Sequence, residues 1–271
     1  MKSVAAIQLC SSHILKENLE ITAKLIKEAS DNSATLVVLP EMFPIFGLTQ
    51  AAKVDFKEDF GTGKIQAFLS EQAKKNSIWL VGGTIPLSCE DKDKIKAACL
   101  VYDNNGRVVA RYDKIHLFDA VISKQEVYLE SDTTNPGNSL VVVNTPIGKL
   151  GLAVCYDIRF PTMFTHLFNQ GAEVIAIPSA FTQKTGEAHW ELLARSRALD
   201  NFCYVIGACQ GGTHSNGRKT YGHSLIVDPW GSIVTERIKK GPGIIYAEIN
   251  LKKLHEIRNT IPIASHQKLL L

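Results

Sequence analysis

Two stretches with the same pattern, ATLVVLPEMF at 34–43 and AEVIAIPSAF at 172–181, decide the fold of this chain. In each stretch an alanine is followed six positions later by a proline, and three positions after that by a phenylalanine. The apolar run before each proline has the length and composition of a buried β-strand. The repetition indicates that the chain is built from two related α/β halves.

Other matches relate the two halves at a constant separation. Asn76 and Asn201 each precede an apolar, strand-like run, and they lie 125 residues apart. The segments Leu100–Gly106 and Leu225–Gly231 share the pattern Leu-x2-Asp-x2-Gly at the same separation. Chance agreement among common turn residues is the alternative explanation. The Asn105-Gly106 dipeptide favours the positive φ of a tight hairpin turn.

Strands and helices are predicted to alternate through both halves. In the first half we expect strands at 4–9, 35–40 and 78–83, helices at 15–29 and 65–73, and a hairpin at 99–112. In the second half we expect a hairpin at 140–155, helices at 163–168 and 187–200, strands at 173–178 and 202–209, and a hairpin at 224–237.

This order predicts a mixed sheet in each half, with helices covering one face. Two such sheets must bury their remaining faces against each other, because an exposed apolar sheet face is unstable in water. The expected fold class is therefore α/β, a four-layer αββα sandwich with an internal repeat. No low-complexity linker separates the halves, so we expect residues 1–271 to form a single domain.

The composition favours a globular, reduced protein. Of the 271 residues 45% are hydrophobic and 21% charged, with a net charge of +3, which argues against disorder, collagen and coiled coil. Basic and acidic residues are interspersed and no apolar run is long enough to cross a bilayer, so we expect neither a nucleic-acid nor a membrane partner. The six cysteines have no CxxC spacing, which indicates a cytoplasmic protein, and the apolar start is predicted to be a strand rather than a signal peptide.

Reactive side chains stand at the ends of three predicted strands. Glu41 follows LVVLP, Lys114 follows VVARYD, and Cys155 follows KLGLAV. Taken singly, each has an ordinary explanation: a surface carboxylate, a solvated ammonium or an inert buried thiol. Functional groups gather beyond the carboxyl ends of strands in open α/β folds, and a carboxylate, an amine and a thiol together are the components of an acyl-transfer site.

The segments around these residues, PEMF (40–43), YDKIHLFD (112–119) and CYDIRFP (155–161), resemble the signature blocks of the nitrilase superfamily, the carbon–nitrogen hydrolases. The three blocks occur in the order found in that family. The later segments GEAHWELLARSRALDN (186–201) and YGHSLIVDPWG (221–231) resemble the amidase branch, which includes deaminated glutathione amidase and ω-amidase.

The resemblance implies a catalytic glutamate, lysine and cysteine at Glu41, Lys114 and Cys155. A second family glutamate lies between the lysine and the cysteine. Glu130 in YLESD is the position that we match to it, and Glu126 competes because VISKQEVYLES departs from the usual pattern.

The resemblance also implies how the fold is assembled. The family forms αββα sandwiches that associate as homodimers or higher homo-oligomers, and it uses no cofactor or metal. We expect a core of about residues 2–250 and a C-terminal tail, 251–271, in oligomer contacts.

The implied activity is hydrolysis of a small carboxamide to a carboxylate and ammonia through a cysteine thioester. Deaminated glutathione is the first expected substrate. α-Ketoglutaramate (the ω-amidase reaction) and an N-carbamoyl amine are alternatives, as are acyl transfer, nitrile hydrolysis and a silent homologue that only binds ligand. A papain-like or zinc enzyme is not indicated, since no papain-type Cys–His block and no HExxH is present, and GTGK (61–64) does not complete a phosphate loop.

Several residues are candidates for contact with such a substrate. The backbone N–H of Tyr156 is a candidate donor to the oxyanion. Arg159 is a candidate partner for a substrate carboxylate, with an ion pair to Asp157 as the alternative. Phe181 is expected to wall the pocket. Further candidates are Trp190 for the pocket wall and Arg195 and Arg197 for the carboxylate.

Overall fold

The computed structural model describes residues 2–49, 51–124 and 126–268. The strands are β1 Lys2–Gln8, β2 Leu36–Val38, β3 Trp79–Val81, β4 Ile85–Ser88, β5 Ile95–Tyr102, β6 Val108–Asp113, β7 Asp119–Val121, β8 Val127–Leu129, β9 Val142–Thr145, β10 Gly148–Leu152, β11 Val174–Ser179, β12 Tyr204–Cys209, β13 Gly211–Thr213, β14 Lys219–Tyr221, β15 Leu225–Val227, β16 Ile233–Glu236 and β17 Gly243–Ile249. The helices are α1 Leu15–Asp31, α2 Lys64–Lys75, α3 Pro161–Asn169, α4 Gln183–Asn201, α5 Leu251–Thr260 and α6 Ile263–His266. Short 3₁₀ helices lie at Ala51–Phe56, Glu130–Asp132 and Cys155–Arg159.

The strands form two large mixed sheets. The first has the order β17-β1-β2-β3-β5-β4, with β6 paired to β5, and the second has the order β16-β15-β12-β11-β10-β9. Strands β1, β2 and β3 are parallel, as are β10, β11 and β12. Two small hairpins, β7–β8 and β13–β14, stand apart from these sheets.

The two sheets pack face to face between pairs of helices. Side chains of β1 alternate between two apolar clusters: Val4 and Ala6 join the cluster shared with the second sheet, and Ala5 and Ile7 join the cluster beneath α1 and α2. Helices α3 and α4 contribute to the cluster of the second sheet. The predicted αββα sandwich is confirmed, and it follows from the two-residue period of a strand, which gives each sheet two faces to bury.

The internal repeat is present in both topology and local geometry. In each half three parallel strands are followed by an antiparallel hairpin, β5–β6 or β15–β16. The carboxylate of Asp103 accepts from the backbone N–H groups of the β5–β6 turn, and Asp228 does the same in the β15–β16 turn. Gly106 and Gly231 complete these turns at φ 77° and 78°, a conformation that glycine adopts without steric cost.

Several elements were not predicted from the sequence, among them β4, β17, α5 and the hairpins β7–β8 and β13–β14. Strand β4 pairs with one end of β5, and β17 pairs with the full length of β1. Helix α5 lies within the expected tail but packs on the body of the protein: Leu254 is fully buried, and Arg258 donates to the carbonyl oxygens of Phe202 and Ala172.

No helix among the described residues is long and apolar enough to cross a membrane.

Close packing between β12 and α4 makes Gly207 a sensitive position. A Cβ there would lie 2.5 Å from the ring of Trp190, which is fully buried. We expect Gly207→Ala to lower the free energy of unfolding by about 1–3 kcal/mol, because the core must move to admit the methyl group. Denaturant unfolding measures the change. In Gly151→Ala, the control, the nearest atom is 3.3 Å away. Equal stability losses in the two variants would contradict the packing argument.

Candidate active site

The three predicted catalytic side chains lie at the ends of strands from both sheets, and all three are buried. Glu41 follows β2 and Lys114 follows β6 in the first sheet, while Cys155 follows β10 in the second. Their exposed fractions are 4%, 2% and 8%. The structure therefore removes a carboxylate, an ammonium and a thiol from solvent together.

The ammonium of Lys114 lies between two carboxylates. Its Nζ is 2.8 Å from Oε1 of Glu41, and 2.8 and 3.1 Å from the two oxygens of Glu130. Glu130 also accepts from the backbone N–H of Phe118 at 2.7 Å, which fixes its orientation. The competing residue, Glu126, lies elsewhere in the cavity wall, with its carboxylate 3.3 Å from the hydroxyl of Tyr128.

Neighbouring charges, rather than burial, determine the ionisation of Lys114 and Glu130. Burial alone would lower the pKa of Lys114, but the negative charges of Glu130 and Glu41 outweigh it and raise the pKa well above its usual value. Burial would raise the pKa of Glu130, and the positive charges of Lys114 and Lys53 hold it below its usual value instead. The Lys114–Glu130 pair is thus ionised throughout the neutral range.

Cys155 carries its sulfur as a neutral thiol in this environment. Burial and the negative charge of Glu41 raise its pKa well above the usual value, against the opposing effects of Lys114 and of a hydrogen bond from the backbone N–H of Ala180. The thiol also forms a side-chain hydrogen bond with Glu41. Cys155 opens its 3₁₀ helix at φ +46°, a conformation that is unusual for a residue with a side chain and that occurs often at functional sites.

Asp157 holds the turn that carries Cys155. It is fully buried and accepts from the backbone N–H of Val154 at 2.8 Å and from the hydroxyl of Tyr112 at 2.7 Å. It also faces His116, accepting from its backbone N–H at 3.0 Å and lying 2.7 Å from its ring Nδ1. These bonds join the turn after β10 to the segment that carries the catalytic lysine. The alternative ion pair between Arg159 and Asp157 does not form, since both carboxylate oxygens of Asp157 already have hydrogen-bond partners.

The buried groups open into a cavity of about 840 Å³. This volume lies within the range of small-molecule sites. The predicted site residues in its wall are Glu41, Lys114, Glu130, Cys155, Tyr156, Arg159 and Phe181. These seven residues thus line one cavity.

Arg159 stands beside the sulfur-bearing turn. Its guanidinium lies 5.4 Å from the ring centre of Phe181 and 5.8 Å from that of Tyr156, and its Nη2 is 3.2 Å from Nδ1 of His189. Within the described residues it has no carboxylate partner. It remains available to an anion in the cavity.

Three further candidates lie outside the cavity wall. The indole of Trp190 is buried and donates to the carbonyl oxygen of His223 at 2.8 Å. Arg197 donates to the carbonyl oxygen of Ile158, and Arg195 to that of Gly231. The arginines of α4 therefore stabilise backbone turns, and neither of these two candidates lines the cavity.

Four cationic side chains of the cavity wall were missed, namely Lys53, Lys184, Arg218 and Lys219. Lys53, in the 3₁₀ helix after β2, donates to the hydroxyl of Thr134 at 2.7 Å, and burial lowers its pKa although the charge of Glu130 opposes this. Arg218 lies in the turn between β13 and β14. Lys53 and Arg218 come from a short 3₁₀ helix and a turn, which show no periodicity in the sequence, so only their charge could have suggested them.

No group of three His, Cys, Asp or Glu within residues 2–49, 51–124 and 126–268 is placed to hold a metal ion.

Comparison with known proteins places almost the whole sequence in one family. The model of the family described as carbon-nitrogen hydrolase matches residues 3–259. A Yersinia enterocolitica protein named deaminated glutathione amidase is 40% identical over 268 residues, covering 98% of this chain and 93% of its own. A Homo sapiens protein of the same name is 40% identical, covering 98% of this chain and 82% of its own.

Solved structures agree with this assignment. The Caenorhabditis elegans NitFhit protein superposes with a TM-score of 0.90 at 35% identity, covering 98% of this chain, which spans 65% of that longer protein. Saccharomyces cerevisiae Nit3, described as a member of branch 10 of the nitrilase superfamily, superposes with a TM-score of 0.86 at 35% identity, covering 97% and 94%. The chain belongs to the carbon–nitrogen hydrolases of the nitrilase superfamily and is a hydrolase of carbon–nitrogen bonds other than peptide bonds.

Proposed function

We propose that this protein hydrolyses deaminated glutathione, with Cys155 as nucleophile. The observation that carries the proposal is the Lys114 ammonium between Glu41 and Glu130, beside the Cys155 thiol, in one cavity. The relatives named deaminated glutathione amidase, at 40% identity over almost the whole chain, support the choice of substrate.

The thiol is activated at the moment of attack rather than beforehand. Because Cys155 rests as a neutral thiol, Glu41 takes its proton as the sulfur adds to the amide carbonyl. Negative charge then develops on the carbonyl oxygen. Lys114 and the backbone N–H of Tyr156 donate to that oxygen, and loss of one such donor typically costs about 2.7–4 kcal/mol of barrier.

The same carboxylate serves both halves of the reaction. Protonated Glu41 gives its proton to the departing nitrogen, which leaves as the C–N bond breaks and the thioester remains on Cys155. Glu41 then removes a proton from water as the water attacks the thioester. Return of this proton to the sulfur releases the acid and restores the free thiol. Glu130 acts by positioning Lys114, to which it presents both of its oxygens.

The substrate determines the leaving group. Glutathione is γ-glutamylcysteinylglycine, so hydrolysis of the γ-amide in its deaminated form releases cysteinylglycine and 2-oxoglutarate. Ammonia is the product only from a primary carboxamide such as α-ketoglutaramate, the ω-amidase substrate. The two substrates share the same acyl group and would form the same thioester, so the distinction between them lies in the part of the cavity that holds the leaving group.

Three residues are assigned to substrate binding. Tyr156 supplies its backbone N–H, Phe181 supplies an apolar wall, and Arg159 supplies a cation beside the reacting carbonyl. Arg159 is suited to a carboxylate because a planar guanidinium can donate two parallel hydrogen bonds.

We further propose that the protein acts in the cytoplasm as a homodimer or higher homo-oligomer. The six cysteines are free thiols, as a reducing compartment favours. The oligomer contacts include part of the tail at 251–271, of which α6 is largely exposed.

The proposed thioester mechanism predicts that Cys155 is the cysteine that becomes acylated. Cys155→Ala should release no cysteinylglycine from deaminated glutathione, whereas Cys203→Ala, which alters a core thiol outside the cavity, should retain turnover. Mass spectrometry of wild-type protein quenched during turnover should locate a 2-oxoglutaryl group on Cys155. An acyl group on Cys203 or Cys209 would contradict the assignment.

The second glutamate gives a separate prediction. Glu130→Gln removes one of the two negative charges beside Lys114 and loosens the position of the ammonium. We therefore expect kcat to fall about 100-fold, a loss typical of a misplaced catalytic group. Acyl-enzyme should accumulate if water attack suffers more than thiol attack, and mass spectrometry detects it. Glu126→Gln is the control and should change kcat less than about threefold. The reverse ranking of the two variants would assign the role to Glu126.

A further inference from the structure

Arg218 is held on the cavity wall by aromatic side chains. The β13–β14 turn carries it, and its guanidinium lies 4.6 Å from the ring centre of Tyr128 and 5.2 Å from that of Phe46. Phe46 is itself stacked on His214 at 3.6 Å. Stacking fixes the plane of a guanidinium and leaves its N–H groups free to donate at the edges.

The charge of Arg218 is unpaired in the described part of the chain. Its Nε is shielded from solvent without a hydrogen-bond partner, and it forms no ion pair there. Its Nη2 donates to the carbonyl oxygen of Ala180 at 3.2 Å. By contrast, Arg111 pairs with Asp113 through two hydrogen bonds. A shielded donor without a partner is costly, and no carboxylate balances the charge of this guanidinium in the described residues. An anion bound at the part of the guanidinium that faces the cavity would offset that cost.

Ala180 places this cation close to the reacting sulfur. Its backbone N–H is hydrogen-bonded to Cys155, and its carbonyl oxygen accepts from Arg218. One residue therefore spans the two sites. An anion on Arg218 would be separated from the sulfur by a short chain, such as the few carbons of a dicarboxylic acid.

The charged side chains in the described wall of the cavity favour an anion, because six are cationic (Lys53, Lys114, Arg159, Lys184, Arg218 and Lys219) and four are anionic (Glu41, Glu126, Glu130 and Glu187). Lys114 is already neutralised by its two carboxylates, and Lys53 adds a further buried cation near Glu130. Arg159 stacks on a different pair of rings, Tyr156 and Phe181. The cavity thus offers two separate arginines rather than one.

We infer that Arg218 binds the carboxylate at the far end of the substrate's acyl group, and so selects amides of dicarboxylic acids over amides of neutral acids. This inference rests on the proposed function and deepens it. Arg159 is then left for the carboxylate of the leaving group, the glycine end of cysteinylglycine. Two carboxylates on the substrate correspond to two unpaired arginines on the wall.

The test compares two substrates that differ only in the acyl carboxylate. Deaminated glutathione is compared with 4-oxopentanoyl-cysteinylglycine, in which a methyl group replaces that carboxylate. Arg218→Gln should lower kcat/KM for deaminated glutathione about 10- to 100-fold, since a charge-assisted bidentate bond is lost. It should change kcat/KM for the methyl analogue less than about threefold, which also shows that the variant is folded.

Two further variants sharpen the comparison. Arg218→Lys keeps the charge but not the planar fork, and should lose part of the discrimination. Arg107→Gln removes an exposed arginine of the β5–β6 turn, outside the cavity wall, and should leave both substrates unaffected. Equal losses for both substrates in Arg218→Gln, or no loss for either, would overturn the inference.

A binding measurement separates this inference from the proposed function. Calorimetry of 2-oxoglutarate with Cys155→Ala requires no turnover. Weaker binding of 2-oxoglutarate to the double variant Cys155→Ala, Arg218→Gln than to Cys155→Ala would support a carboxylate site at Arg218. This result would hold even if the wild type hydrolysed neither substrate and the proposed function were wrong. Binding that does not depend on Arg218 would overturn the inference.

Discussion

The ammonium of Lys114 buried between two carboxylates is the interaction on which the site depends. Removing an ion from water costs several kcal/mol, so a cation that is 2% exposed persists only where opposite charges meet it at hydrogen-bond distance. Glu41 and Glu130 meet that condition at 2.8 Å each. Loss of either carboxylate would remove one of the two anionic acceptors that hold the buried ammonium in place, so the three side chains act as one unit.

The packing of the two sheets against each other brings the groups of the site together. The ammonium and one carboxylate come from strand ends of the first sheet, and the thiol comes from a strand end of the second, so the site forms only when the sheets face each other. Asp157 reinforces this arrangement by binding the cysteine turn and the lysine segment at once. Close packing around Cys155 maintains its positive φ, because the surrounding residues have little room to move.

Periodicity and repetition predicted most of the fold. The strands around 36–38 and 174–179 and the Asp-x2-Gly turns carried enough local signal to show two matching halves. Strand β17 escaped prediction because it finds its partner β1 at the other end of the chain, and such pairing leaves no local mark. Helix α5 escaped because only Leu254 of its ten residues is buried, which makes its apolar stripe too narrow to recognise.

The catalytic residues were most predictable where a reactive side chain ended a strand, and residues beside such a strand end, such as Tyr156 and Arg159, could be added to them. Glu41, Lys114 and Cys155 met that condition, and their shared cavity was the expectation. Asp157 and Lys53 belong to short 3₁₀ helices and Arg218 to a turn, where the sequence shows a charge but not the partner that the charge will face. The sequence likewise shows the charges of Arg195 and Arg197 but not the carbonyl oxygens, 36 or more residues away in sequence, that accept their hydrogen bonds.

The central claim is that the thiol rests neutral and that the neighbouring carboxylate removes its proton during attack. The ultraviolet absorbance of the thiolate, taken as the difference between wild-type protein and Cys155→Ala from pH 6 to 9, tests it most directly. Because the pKa of Cys155 is raised well above its usual value, the thiolate should be absent across this range, and the difference should stay flat. A thiolate signal rising with a midpoint at or below the usual cysteine pKa would show a preformed nucleophile and contradict the account.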